Sequence, residues 1–239
     1  MGVLTDAKEY LMSAKRGKRY NQCLEKVPPG KVSVAEGVKV LKSFETTKFD
    51  AAVDLVMHLG IDPKQSDQGL RGAISLPHGV GKSRKVVAFC EGEDVEKAKA
   101  AGAVEAGGED LIKKIQDGWQ DFDVAVATKV MMKSVSKLGR ILGPQGKMPS
   151  PKSGTVVEDV AKGVAEYSAG KVEYRSDDGG NLHVSVGKAS FDAQKLIENI
   201  NMFIDHVRKL KPASVKGTYI KKVSISTTMS PAVLLDLPA

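Results

Sequence analysis

The chain has 239 residues, 41% hydrophobic and 27% charged, which excludes a disordered polymer and leaves room for one large domain or two ordinary ones. A net charge of +7 with a pI near 9.2 points to a polyanionic partner, nucleic acid before membrane. No apolar run approaches the roughly 18 residues of a membrane helix, the first twenty residues lack an apolar signal region, and Asp6 stands where a myristoylation signal requires Ser or Thr.

In chain order, KRGKRY (15–20) reads as a disordered basic arm making nonspecific phosphate contacts. FDAAVDLVMHLG (49–60) alternates, placing Val53, Leu55 and Met57 on one face of a strand. The turn LPHGVG near residue 78 leads to KVVAFC (85–90), a short apolar run with the pattern of a buried strand. EDVEKAKAAGA and EDLIKKIQDG predict two helices, the second closing at Gly118. FDVAVAT (122–128) predicts another buried strand, and KVMMKSVSKLG a helix ending at Gly139. RILGPQGKMPSPKSGT is too rich in Gly and Pro for any regular element. This strand–helix–helix–strand–helix order predicts a small α/β domain around a short, mostly parallel sheet.

Beyond the small-residue break YSAGK, KVEYRSDDGGNLHVSVGK (171–188) predicts a hairpin turning at DDGGN. Leu196, Ile200, Phe203, Val207 and Leu210 recur at helical spacing, and Pro212 ends that helix. YIKKVSISTTM predicts a strand with Val223 and Ile225 inward and Lys222, Ser224, Ser226 and Thr228 on the other face. The outer segments therefore predict one split α+β domain, residues 1–78 and 170–239, an antiparallel sheet with helices on one side, with residues 79–169 inserted. Residues 1–78 carry 12 Lys+Arg against 9 Asp+Glu and residues 170–239 carry 10 against 7, while the insert carries 14 against 13. A polyanion site is thus expected on the split domain, at +6, rather than on the insert, at +1.

Gly79, Gly81, Lys82 and Ser83 resemble the end of a phosphate-cradling loop, so a small NTPase is the competing function. That loop requires Gly where Leu76 stands, and it must open a helix, whereas KSRKVVAFC runs into a strand. The glycines fit a hinge instead. His58, His78, His183 and His206 have no metal-ligand spacing, so no metal is expected. Cys23 and Cys90 stand alone, with no CxxC, and read as idle thiols of a reducing cytoplasm. The paired acids of DFD (121–123) lie on a solvated turn and no GxSxG is present, so neither catalysis nor a cofactor is expected. Aromatics make up only 5%, which disfavours a binder that stacks successive bases of a single strand. A Ser/Thr-lined strand face suits folded RNA, read by shape and 2′-hydroxyls. The plainer alternatives are an ordinary solvated face and a basic scaffold without a specific RNA.

Six segments occur in order: KFDAAVDLVMHLGIDPKQSDQGLRGAISLPHGVGK, DGWQDFDVAVAT, SKLGRILGPQGKMPSPKSGTV, VGKASF, KGTY and STTMSPAV. Together they closely resemble the ribosomal protein L-one family, in its bacterial form, over about Gly17 to Val233; the first sixteen residues look like an extension. The resemblance implies a split α+β domain interrupted by a Rossmann-like three-layer α/β domain. It implies a noncatalytic, cytoplasmic, ribosome-associated protein at the mobile stalk, binding large-subunit ribosomal RNA and aiding release of exit-site tRNA. It further implies repression through the messenger RNA of its own operon, and a monomer when off the ribosome, away from membranes. By position it implies RNA contacts at Lys48, Phe49, His183, Gly187, Lys188, Lys216, Gly217, Thr218, Tyr219, Ser226, Thr228 and Met229. The hinge is expected at His78, Gly79, Ser168 and Gly170. The family commonly has Gly after the Thr-Met pair; here it is Ser230.

Overall fold

The computed structural model describes residues 17–44, 47–63, 65 and 67–236; Lys15, Arg16 and the expected N-terminal extension lie outside them. The first half of the chain forms α1 (Lys18–Glu25), α2 (Val34–Ser43), β1 (Ala52–Leu59), β2 (Arg71–Ile74), β3 (Val86–Phe89), α3 (Asp94–Ala100), β4 (Glu105–Gly107) and α4 (Glu109–Gln116). The second half forms β5 (Val124–Thr128), α5 (Met132–Val135), α6 (Gly139–Leu142), β6 (Val156–Val157), α7 (Val160–Ser168), β7 (Val172–Arg175), β8 (Asn181–Lys188), α8 (Ala193–Lys209), β9 (Ile220–Thr227) and β10 (Val233–Leu235). Two compact units result, Met1–Leu70 with Arg175–Ala239 and Arg71–Tyr174. Residues 71–78 and 170–174, assigned from sequence to the outer domain, fall in the second unit, because β2 and β7 pair in a two-stranded sheet of their own.

The first unit is built on an antiparallel sheet in the order β10-β9-β1-β8. Alternation in β1 buries Val53, Leu55, Met57 and Leu59, and β9 buries Val223 and Ile225. The apolar stripe of α8 buries Leu196, Ile200, Phe203 and Val207, whereas Leu210 forms the C-cap and is 38% exposed. α2 packs against α8, β9 and β10, so the helices cover one face of the sheet. It starts with a capping box: Glu36 N–H donates to the Ser33 hydroxyl while the Ser33 N–H donates to the Glu36 carboxylate. Each fully buried aliphatic or aromatic side chain contributes roughly 1.5–3 kcal/mol.

The expected hairpin at 171–188 does not form as such. Its two arms diverge, β7 pairing with β2 and β8 with β1, and a single bridge, Ser176 to Leu182, joins them. Pairing of β8 with β1 skips a residue: Val53 lies opposite Gly187, and Asp54 opposite Ser185. Val186 is therefore bulged, and its carbonyl accepts a 2.8 Å hydrogen bond from the side-chain amide of buried Asn199 on α8. A buried Asn in an otherwise apolar helix face has here a definite partner.

The second unit holds a parallel sheet in the order β4-β3-β5-β6. Its central strands bury both faces, so successive residues feed different cores. Val87, Phe89, Ala125 and Ala127 pack with α4 and residues 131–142, and Val86, Ala88, Val124 and Val126 with α3 and α7. Helices on both sides of a parallel sheet make the expected three layers. Local expectations needed correction. β4 intervenes between the two predicted helices, and 129–139 is not one helix but α5 followed by a 3-10 turn, Ser136–Leu138. The Gly/Pro-rich stretch contains α6 and a 3-10 turn at Pro151–Ser153.

Gly79 and Gly81 have φ of 61° and 72°, and the chain then enters β3 without an intervening helix, so no phosphate-cradling loop forms. Gly79 and Gly170 lie against each other inside the second unit: a Cβ on Gly170 would stand 3.3 Å from the Val80 nitrogen. They are needed for close packing there, with His78 exposed and Ser168 half-buried beside them.

Candidate nucleic-acid interface

The sheet of the first unit turns one face away from α2 and α8, and the antiparallel register specifies which side chains share it. One cross-strand row is Lys188, Ala52 and Thr228; the next is Ser185, Asp54 and Ser226. Then come His183, Val56 and Ser224, and finally Asn181, His58 and Lys222. Lys188 belongs to this face because of the bulge at Val186: an unbroken two-residue repeat would put it opposite His183's side of the sheet. Asn199 thus helps aim a lysine from the other side of the core.

Around the row at Ala52, three loops converge. Ala189 N–H donates to the Ala51 carbonyl at 2.8 Å, and Thr228 N–H to the Ala52 carbonyl at 3.1 Å. Asp50 accepts from the backbone and hydroxyl of Ser190 at 3.1 and 2.8 Å, and Lys188 donates to the Asp50 carbonyl at 3.4 Å. Thr47 donates its hydroxyl to the Phe49 carbonyl at 2.9 Å. With the loops tied this way, Phe49 and Met229 are each held 53% exposed, and Lys48 is exposed beside Phe49. Two large apolar side chains held in solvent beside unburied lysines are the feature a packed core does not explain. A cleft of about 150 Å³ opens at the same end, lined by Arg19, Lys42, Phe44, Thr227 and Met229 among others.

Ser230 fits its place. It closes the turn after β9, its N–H donating to the Thr227 carbonyl at 3.1 Å and its hydroxyl accepting from the Thr227 N–H at 3.0 Å. Among the described residues no non-glycine has a positive φ, so Ser230 needs no glycine-only conformation.

The expected contact residues divide. His183, Lys188, Ser226 and Thr228 share the open face, with Lys48, Phe49 and Met229 at its rim. Lys216, Gly217 and Thr218 are exposed but lie at the other end of β1, near Gly60, whose N–H donates to the Tyr219 carbonyl. The length of β1 separates the two ends by about 25 Å, at roughly 3.4 Å per residue. Gly187 and Tyr219 are buried and face the core, so they shape the surface rather than present a side chain to a ligand. A Cβ at Gly187 would meet Leu196 at 2.8 Å and Phe191 at 3.0 Å. Arg19 was read from sequence only as part of the basic arm KRGKRY, whereas Lys18–Tyr20 begin α1, and Lys42 was not singled out; no local pattern says that α1 and the end of α2 reach Met229.

The far corner is held by Asp177. Its carboxylate accepts from the Asn181 N–H at 2.6 Å, the Gly179 N–H at 2.9 Å and the Asn181 side chain at 3.0 Å, with His183 Nε2 at 3.4 Å. These donors, Asn181 foremost, hold its pKa down at about 2. Asn181 also contacts His58 Nδ1 at 2.8 Å through its side-chain oxygen. Among the described residues no three His, Cys, Asp or Glu side chains cluster as metal ligands, and no helix is long and apolar enough to cross a membrane.

The profile of the Ribosomal protein L1p/L10e family matches residues 41–231, a span that contains every residue of the open face and its rim. The chain belongs to that family. A member is a constituent of the large ribosomal subunit, binds the subunit's RNA and has a structural rather than a catalytic role. The α/β architecture found here, one antiparallel sheet and one parallel sheet with their helices, is consistent with that membership.

Proposed function

We propose that this ribosomal protein grips a folded segment of large-subunit RNA on the open sheet face of its first unit, with the Ala52 end as the anchoring point. The observation that carries this reading is the pair of half-exposed apolar side chains, Phe49 and Met229, set among Lys48, Lys188 and the hydroxyls of Thr228 and Ser226. Lysines neutralise phosphates, hydroxyls pair with 2′-hydroxyls or base edges, and the apolar pair excludes water from those bonds. Lys216 and Thr218, some 25 Å along the sheet, contact a more distant part of the same RNA. On this reading the protein sits at the mobile stalk and aids release of deacylated tRNA from the exit site. The same surface, presented with a similar fold in its own operon messenger RNA, represses translation, as the motif run shared with bacterial members suggests. The free protein is monomeric. Any opening of one unit relative to the other acts at Leu70–Arg71 and Tyr174–Arg175, where the chain crosses between them, rather than at the Gly79–Gly170 pair.

Filter binding to protein-free large-subunit RNA, with excess tRNA as competitor, tests the reading. Specific recognition survives the competitor. Binding that collapses to the tRNA background leaves only generic basic attraction.

A further inference from the structure

The near-neutral charge of the second unit conceals a strongly one-sided segment. Between Lys129 and Val157 the sequence contains Lys129, Lys133, Lys137, Arg140, Lys147 and Lys152 and no Asp or Glu. From Met131 to Leu142 the backbone follows one right-handed helical path, α5 and α6 joined by the 3-10 turn at Ser136–Leu138. Met131, Val135, Leu138 and Leu142 bury one side of that path in the core. Lys133, Lys137 and Arg140, spaced by four and three residues, therefore fall together on the outward side, where all three are exposed. Val130, 79% exposed, sits at the head of this stripe, and Lys152 is exposed in the loop that follows.

A solvated helix face is the ordinary explanation for such residues, but elsewhere acids stand among the helix cations, and several of those cations are paired. Lys97 pairs with Glu93 and Asp94, Lys195 with Asp192, and Arg208 with Asp205, each within a turn of helix. Lys129 pairs with Glu158. Lys133, Lys137, Arg140 and Lys152 have no ion pair among the described residues, and Lys133 and Lys137 repel each other at helical spacing. A surface built only to be soluble gains nothing from excluding every acid over this length.

We propose that this stripe is a second RNA-binding surface, separate from the open sheet face of the first unit, which holds an RNA phosphate backbone by charge without reading sequence. Lys133 to Arg140 spans roughly 11–12 Å along the helical path, enough to follow a few consecutive phosphates of one strand. Lys side chains serve as point charges here and Arg140 adds a planar fork for one phosphate. No acid within the stripe competes for them.

The test measures binding against salt for the full chain carrying Lys133→Gln, Lys137→Gln and Arg140→Gln together, with protein-free large-subunit RNA and with deacylated tRNA as separate probes. A companion triple, Lys133→Arg, Lys137→Arg and Arg140→Lys, keeps the charge. Thermal melting establishes that both fold. The Gln triple is expected to lower the slope of log affinity against log salt by about two units for at least one probe. The charge-keeping triple should preserve it. Which probe responds tells whether the stripe holds the ribosomal RNA or a tRNA. Unchanged slopes and affinities with both probes, or equal loss in both triples, overturn the proposal. A Phe49→Ala variant measured alongside reports on the first unit's face independently, so either surface can fail alone. Absence of binding to both RNAs by the unaltered protein overturns both.

Discussion

The Thr228 hydroxyl is already engaged in the free protein: its oxygen accepts from the Ala52 N–H at 3.1 Å, closing the end of the β1–β9 ladder. Thr228→Val therefore removes a structural bond as well as a hydroxyl of the proposed RNA interface. It is expected to lower stability by about 0.5–1.5 kcal/mol in urea unfolding and to weaken RNA binding, while Thr228→Ser restores both. A Val variant of undiminished stability would show that the bond to Ala52 carries nothing. Asp177 gives a second residue-level expectation. Its folded carboxyl, at about 2, holds a proton less tightly than the ordinary value of 3.8. The turn it closes thus contributes stability above the ordinary carboxylate range and loses it as pH falls toward about 2. The Gly179 and Asn181 amide resonances should titrate with a midpoint near 2; a midpoint near 3.8 would mean the hydrogen bonds seen here do not persist in solution.

At the scale of elements, the bulge at Val186 links the core to the open face. Asn199→Ala removes the donor to the Val186 carbonyl and should cost about 1–3 kcal/mol of stability through the group left unsatisfied. Gly187→Ala should cost a similar amount, about 1–3 kcal/mol, by forcing a methyl against Leu196 and Phe191. Because the bulge aims Lys188, Asn199→Ala should also weaken RNA binding, although Asn199 is buried behind the sheet. Affinity equal to wild type at a temperature where the variant is folded would separate the bulge from recognition. These links also mark the limit of what periodicity conveys. Alternation in β1 and β9 and the stripe of α8 were legible, since burial of one face imposes a repeat on the sequence. The bulge was not, because one unpaired residue leaves no pattern, and the apparent hairpin misled because a good turn does not specify which strand each arm pairs with. The capping box Ser33–Glu36 was a readable start signal for α2 that the apolar pattern alone had not raised. β4, only three residues long, and the 3-10 break at Ser136–Leu138 are too short to carry a repeat.

Across the whole molecule, the arrangement of one split unit and one continuous unit was visible in the alternation of strand and helix signals, but the crossings were not. Gly79 and Gly170 looked like joints because glycine permits them; their mutual packing is a tertiary fact. The candidate site was legible in part for the same reason. Lys188, Thr228 and Met229 stand out as residues, yet their convergence with Phe49 depends on the antiparallel register, and Gly187 and Tyr219 lie buried beneath that surface. Central to the account is that exposed apolar groups at the Ala52 end of β1 give specific RNA recognition. The most direct measurement is the affinity of Phe49→Ala and Met229→Ala for protein-free large-subunit RNA in the presence of excess tRNA, with urea unfolding in parallel. The account predicts stability within about 0.5 kcal/mol of wild type for these half-exposed positions and a loss of affinity of tenfold or more for each. Wild-type affinity in both variants, at unchanged stability, would contradict it.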